Sequence, residues 1–336
     1  MASSPFTNPT ILGSGSWGTA LASLLATNSG QITLLGREKD TITEINRKHQ
    51  NSRYLPGIPL PVNITATTDP AVCRNADLIL FVVPTSATRS LAESLTKTGI
   101  SKETILLSCA KGIERETDKR MSEIIAESFP ENPIAVLSGP NHAEEIARGL
   151  PAAASLASSC PETSRRLQDL FTTTRFRAYT SDDLPGVELG GAIKNIFAIA
   201  AGVTKGLNLG DNAISALVTR GLAEMIRLGT ALGGKPETFT GLSGVGDLIT
   251  TCYSEHSRNH RVGLALAQGS TLQEAVDSLG MIAEGVPNTR SIYEASRRLN
   301  CRTPLIDTVY SVLYENIPAP QALNALFARS PREETE

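Results

Sequence analysis

The sequence predicts an α/β fold in which a doubly wound parallel sheet occupies residues 1–186 and an all-α domain occupies residues 187–336. Three observations point there. A glycine-rich turn joins a short apolar run to a helical pattern across Thr10 to Leu25 (TILGSGSWGTALASLL). Apolar runs then alternate with helical segments, as strands joined by crossover helices do. Beyond Ser181-Asp182-Asp183-Leu184-Pro185-Gly186 the periodicity is helical almost throughout.

The opening turn has the Rossmann-type spacing. Gly13 permits the tight turn, Gly15 lets backbone approach a pyrophosphate, and Gly18 allows close contact between helix and strand. The helix that follows, packed through Ala20, Leu21, Leu24 and Leu25, presents free N–H groups and the positive end of its dipole. A glycine-rich turn also arises for packing alone, so the spacing needs its context. Trp17 either packs the turn or borders the cofactor.

Gln31 to Leu35 reads as the second strand and Glu38 to Lys48 as a polar helix. Arg37 falls where such a domain meets the adenosine ribose. An acidic side chain there suits NAD, whereas an arginine neutralises the 2′-phosphate of NADP. The position leans to NADP, with Glu38 adjacent and a solvated helix-start pair as the alternative. Asn51 to Val62, with three prolines and a glycine, is expected to be a connecting loop. Leu78 to Val83 is apolar on both faces, as a central parallel strand must be.

Thr104 to Leu107 and Ile134 to Leu137 are further strands. Their carboxyl ends deliver Lys111 (AKGI) and Ser138-Gly139-Pro140-Asn141-His142 to the edge where open α/β sheets bind ligands. Lys111 is a site residue or a solvated loop charge; His142 is a general acid or a hydrogen-bonded loop histidine. Ala152 to Ala157 and Phe176 to Thr180 complete a sheet of about seven or eight strands.

In the helical half, Gly190 to Val203 is apolar nearly all round, with Lys194 and Asn195 its only polar side chains. An ammonium buried there needs a carboxylate, a ligand or water, and burial lowers its pKa. Gly190 and Gly191 are expected to leave space beside it, which favours catalysis over a structural ion pair. Ile214 to Leu232 reads as scaffold. Asp247, at the start of a helix after TGLSGVG, is either a cap or the partner of Lys194. Ser257, Arg258 and Asn259 group a hydroxyl, a guanidinium and an amide just before an apolar helix at Val262 to Ala267, which suits a phosphate monoester or a plain cap. His256 and His260 have no further ligands to complete a metal set, so no metal is expected. Chemistry alone leaves Glu284 and Asn288 unassigned.

Hydrophobic residues make up 40% and charged residues 19% of the chain, a balance that places it among ordinary soluble globular proteins. A formal net charge of -3 without long basic runs gives no general field for nucleic acid or anionic membrane. No membrane span is expected. MASSPFTNP reads as a loose lead-in and not a secretory signal, RSPREETE as a frayed tail. Five scattered cysteines fit a reducing, cytoplasmic setting.

GSGSWGTALA, AKGI, SGP, GGAIKN, RGLAEM, GLSGVGDL, SRN and AEG occur in this order along nearly the whole chain. That series resembles the soluble, bacterial-type family of NAD(P)-dependent glycerol-3-phosphate dehydrogenases; GGAIKN followed by GVGDL and SRN is its specific part. The resemblance implies interconversion of dihydroxyacetone phosphate and sn-glycerol 3-phosphate, mainly in the reducing direction that supplies glycerophospholipid synthesis. It implies Lys194 as the proton-transfer group and Asp247, Ser257, Arg258 and Asn259 as substrate contacts. Lys111 and Gly139 match the junction of substrate and cofactor, and Asn141 stands where relatives often carry Ser or Thr. Ser16, Trp17, Arg37, Lys111, Ala143, Arg258, Ile282 and Glu284 match cofactor contacts. The implied cofactor is NAD(P)H and the implied assembly a homodimer; Arg37 matches a position that varies in the family, so the slight preference for NADPH rests on its charge alone. The competing readings are a 3-hydroxyacid or 6-phosphogluconate type dehydrogenase, whose substrate carries a carboxylate, and a non-catalytic dinucleotide-sensing module.

Overall fold

The computed structural model describes residues 6–331 and 333–334. The expectations for the first five residues and for the rest of the tail lie outside them. The apolar runs that read as strands form the middle of one eight-stranded sheet. In chain order the strands are β1 (Pro9–Leu12), β2 (Ile32–Leu35), β3 (Gln50–Asn51), β4 (Leu55–Pro59), β5 (Ile64–Thr67), β6 (Leu78–Phe81), β7 (Ile105–Ser108), β8 (Ile134–Ser138), β9 (Ala152–Ser158) and β10 (Phe176–Ser181). The sheet order is β10-β9-β8-β7-β6-β1-β2-β5. β1, β6 and β7 are buried at every residue, which is why they carry no polar alternation.

Three features depart from the sequence expectations. Asn51 to Val62 is not all loop, because β3 and β4 pair there as a small antiparallel hairpin. β5, a short ITAT segment, was not expected and pairs in parallel with β2 at the sheet's margin. β8 and β9 pair antiparallel while β9 and β10 pair in parallel, so the last two strands run against the other six. Alternation of strand and helix predicts crossovers but does not fix their direction.

The helices are α1 (Ser16–Leu25), α2 (Lys39–Lys48), α3 (Thr85–Leu95), α4 (Met121–Ser128), α5 (Ala143–Ala147), α6 (Pro161–Phe171), α7 (Leu184–Gly206), α8 (Asp211–Ala231), α9 (Pro236–Phe239), α10 (Asp247–Tyr253), α11 (Arg258–Ala267), α12 (Leu272–Asp277), α13 (Gly285–Arg298), α14 (Pro304–Tyr314) and α15 (Ala319–Phe327). α7 is the axis of the helical half. At 23 residues it is long and apolar enough to cross a membrane by composition alone, yet its apolar window is 89% buried inside the protein. Its first turn packs Val187 on Val136 of β8 and Ala157 of β9, and is capped by Asp183, which accepts from the Gly186 N–H. From there it runs past the carboxyl end of β8.

α11 lies almost backbone to backbone against α7. A Cβ on Gly202 would fall 1.9 Å from the His260 carbonyl oxygen, and one on Gly263 1.9 Å from that of Ile199. This contact seats the start of α11 beside the middle of α7. α11 also begins at Arg258, earlier than expected, so Arg258 and Asn259 form its first turn.

Candidate active site

The glycine turn has the shape of a dinucleotide cradle. Gly13 sits at φ +116°, and a Cβ there would meet the Val82 carbonyl oxygen at 2.3 Å; one on Gly18 would meet the Gly13 carbonyl at 2.0 Å. These two glycines hold helix, turn and neighbouring strand together. Gly15 differs, since a Cβ there would have no atom within 4 Å and would stand in the open space a pyrophosphate needs. No side chain caps α1, so the N–H groups of its first turn remain for a ligand. Ser16 is buried in that turn, and Trp17 packs against the core beside it.

At the position expected to meet the ribose, Arg37 is exposed and makes no hydrogen bond or ion pair among the described residues. The carboxylate of Glu38 is engaged: Arg53 donates to it at 2.8 Å and the Tyr54 hydroxyl at 2.9 Å. The adjacent acid is therefore not free for a ribose hydroxyl.

The chemical centre lies where β7, β8, α7 and α10 converge. Asp247 is 2% exposed and Lys194 5% exposed, so both belong to the interior. Lys194 Nζ donates to Asp247 Oδ1 at 2.8 Å and to the Thr251 hydroxyl. Lys111 Nζ donates to the other oxygen, Oδ2, at 2.8 Å, and also to the Gly139 carbonyl at 3.0 Å and to Asn141 Oδ1 at 2.8 Å. One carboxylate thus bridges two ammonium groups. Burial pulls the Lys194 pKa down to about 8, against the attraction of Asp247. Burial would raise Asp247, but the two ammoniums outweigh it and hold the carboxyl below its usual range. Asp247 makes no capping bond; the π-helical turn Leu242–Gly246 before it sets its direction.

Gly190 and Gly191 do not clear a space beside Lys194, contrary to expectation. A Cβ on Gly190 would strike the Ser243 carbonyl oxygen at 2.5 Å, and one on Gly191 the Ser138 hydroxyl at 2.5 Å and Lys111 Cγ at 3.2 Å. They admit the turn that leads to Asp247 and the stem of the second lysine.

The Ser257–Asn259 group is tied to the same helix. Asn259 Nδ2 donates to Asn195 Oδ1 at 2.9 Å, one residue from Lys194, and Asn259 Oδ1 accepts from the Gly285 N–H at 2.9 Å. Ser257 caps α11 through the His260 N–H. Arg258 donates to the Ile282 carbonyl at 2.7 Å, and burial lowers its pKa against the pull of Glu284 and Glu144. Glu284 in turn accepts from the Thr85 N–H at 3.2 Å and its hydroxyl at 3.1 Å, and burial raises its pKa. Ala143 is buried at the start of α5. Ser108 Oγ, Ser138 Oγ, Asn141 Nδ2 and His142 Nε2 are buried without a partner among the described residues, around the ends of β7 and β8. Orphaned polar atoms gathered at a ligand-binding edge fit a polar guest.

Two family models match in tandem: NAD-dependent glycerol-3-phosphate dehydrogenase N-terminus over residues 9–164 and C-terminus over residues 183–324. The chain belongs to the NAD-dependent glycerol-3-phosphate dehydrogenase family. It is 46% identical to the glycerol-3-phosphate dehydrogenase [NAD(P)+] of Lysinibacillus sphaericus across 97% of both chains. Among solved structures, it superposes on a crystal structure of glycerol-3-phosphate dehydrogenase from Coxiella burnetii with TM-score 0.92, at 40% identity, covering 96% of this chain and 99% of that one. The Plasmodium falciparum glycerol-3-phosphate dehydrogenase gives 0.86 at 26% identity, covering 98% and 97%.

In this glycerol-3-phosphate dehydrogenase fold, the residues that sequence reasoning missed act as supports. Thr251 lies four residues after Asp247 on α10 and reaches the same Lys194; helical spacing was its signal. Asn288 donates to the Lys111 carbonyl at 2.6 Å, a contact between elements 177 positions apart that no local pattern announces. Among the described residues no group of three or more His, Cys, Asp or Glu gathers as metal ligands would.

Proposed function

We propose that the protein reduces dihydroxyacetone phosphate to sn-glycerol 3-phosphate with NAD(P)H, reversibly, and so supplies the backbone of glycerophospholipids. The observation that carries this reading is Lys194, buried beside the carboxyl edge of the sheet and sharing Asp247 with Lys111. The dinucleotide, when bound, supplies a hydride to the ketone carbon. Gly13, Gly15, Ser16, Trp17 and Gly18 would hold its phosphates, Arg37 its adenosine end, and Ala143, Ile282, Glu284, Lys111 and Arg258 its remaining length.

Lys194 is the group that gives a proton to the developing alkoxide. Asp247 fixes the direction of that ammonium, and Lys111 with Gly139 and Asn141 closes the same corner of the pocket. Arg258 brings the charge that receives the substrate phosphate, while Ser257 and Asn259 hold the turn from which it projects. Anchoring the phosphate fixes the carbonyl relative to Lys194, and binding energy from that remote group is what raises the rate.

The exposed Arg37 and the occupied Glu38 support NADPH over NADH. The division of the chain near residue 186, a homodimeric assembly and a cytoplasmic setting belong to the same proposal; the five free thiols support a reducing compartment. The test is a spectrophotometric assay with dihydroxyacetone phosphate, run in parallel with NADH and NADPH. Turnover with the higher kcat/KM for NADPH is expected. Absence of turnover with either overturns the reaction, and a preference for NADH overturns the role of Arg37.

A further inference from the structure

Resting on that reaction, we propose that His142 touches the bound substrate at its phosphate, donating a hydrogen bond from Nε2. His142 stands between Asn141, which accepts from Lys111, and Ala143, the first residue of α5. Its Nε2 is buried and has no partner among the described residues, so the expectation of a hydrogen-bonded loop histidine fails at that atom. Its ring meets that of His256 edge to face, with centres 6.1 Å apart and planes at 61°. His256 immediately precedes Ser257 and Arg258. The imidazole therefore lies in the field of Lys194, Lys111 and Asp247 and meets, edge to face, the histidine two residues before Arg258.

The groups that face it are Lys194 from α7, Lys111 from the loop after β7, Asp247 from α10, Glu145 on its own helix and His256. Burial first, then the two ammoniums, hold the imidazole below its ordinary pKa. A neutral ring flanked by ammonium groups is a poor rival to Lys194 as the acid for the ketone. It is well suited to offer one N–H to an incoming phosphate dianion. The dianion offsets the ammonium field, raises the pKa of the ring and favours uptake of a proton on binding. The contribution of His142 to affinity therefore grows as the pH falls.

Steady-state oxidation of NADPH with dihydroxyacetone phosphate between pH 6 and 8.5 tests this in the wild type, His142→Phe and His142→Gln. His142→Phe is expected to raise KM about tenfold, as loss of one charge-assisted hydrogen bond does, with kcat within about threefold. The inhibition constant of inorganic phosphate should rise in parallel, and the affinity for NADPH should not change. The ratio of variant to wild-type KM should widen as the pH falls from 8.5 to about 6.5, a range in which the substrate phosphate stays mostly a dianion. His142→Gln, which keeps an N–H donor but cannot titrate, should recover part of the affinity without the pH dependence. An unchanged KM and phosphate inhibition constant in His142→Phe overturns the proposal, as does an NADPH affinity weakened as much as KM. If His142→Phe does not fold, a His142→Gln enzyme with the wild-type pH dependence overturns it instead. A wild type that fails to turn over dihydroxyacetone phosphate removes the reaction and this proposal together, whereas normal wild-type turnover isolates a failure to His142.

Discussion

Asp247 gives one carboxylate oxygen to each of two ammonium groups, which leaves the buried trio with a net positive charge. Lys194, with a pKa near 8, is poised close to working pH, where a general acid is most effective. The sign follows from the acid role proposed for it. Reduction needs the protonated amine, so kcat/KM for dihydroxyacetone phosphate should fall above about pH 8, while oxidation of glycerol 3-phosphate should rise toward that pH. Asp247→Asn removes the attraction that keeps the proton on, and should move both limbs to lower pH; profiles that stay in place would separate Asp247 from the acid. Lys194→Ala should abolish turnover and spare the affinity for NADPH, measured by fluorescence titration. The lysine was legible because an ammonium inside an apolar helix demands an explanation. Its company was less so: Asp247 had a cap as rival reading, and Lys111, the second ammonium on that carboxylate, arrives from a strand end 136 positions before Asp247.

Glu224 shows the same physics serving one element's stability. It is buried on α8 and accepts from the Leu305 and Ile306 N–H groups at 2.7 and 3.2 Å, capping α14, whose own N-terminal side chain makes no cap. Burial pushes its pKa up to about 7. The folded state then binds a proton more tightly than the unfolded chain, whose carboxyl titrates at an ordinary value, so stability declines as pH rises from about 4.5 toward 7. Glu224→Gln should flatten that slope, worth roughly 3 kcal/mol at most, in thermal melts recorded across the range. Identical slopes in the two proteins would remove Glu224 as its source. On this scale the sequence spoke clearly for strands buried on both faces and for α7. It was silent on β5, because Ile64 and Ala66 alternate with Thr65 and Thr67 over only four residues, and on the hairpin, whose prolines and glycine read as loop.

Across the whole molecule, α13 works as a strap over the loop that bears Lys111. Asn288 holds that loop's backbone, Arg115 pairs with Glu294 at 3.1 Å, and Arg298 pairs with Asp118. The two ion pairs are half-exposed and each contributes at most about 1 kcal/mol, so the buried Asn288 contact carries the positioning. A ligand bound across these parts stabilises all of them. NADPH at about a hundredfold excess over its Kd should add roughly 2.7 kcal/mol to folding and raise Tm by several degrees. NADH at the same concentration should raise it less, and Arg37→Ala should erase the difference; equal shifts in the wild type would exclude discrimination at that position.

The reversal of β9 and β10 has a geometric consequence for catalysis. Because the sheet hands over the chain at the edge opposite the glycine turn, α7 must travel back along β8, and its tenth step from Leu184, about 15 Å on, carries the amine to the side of that turn. The helix acts as a ruler whose zero mark is pinned by Asp183. Removing a single residue between Ser181 and Leu184 would turn the amine about 100° around the axis and draw it back about 1.5 Å, silencing the enzyme with every strand intact.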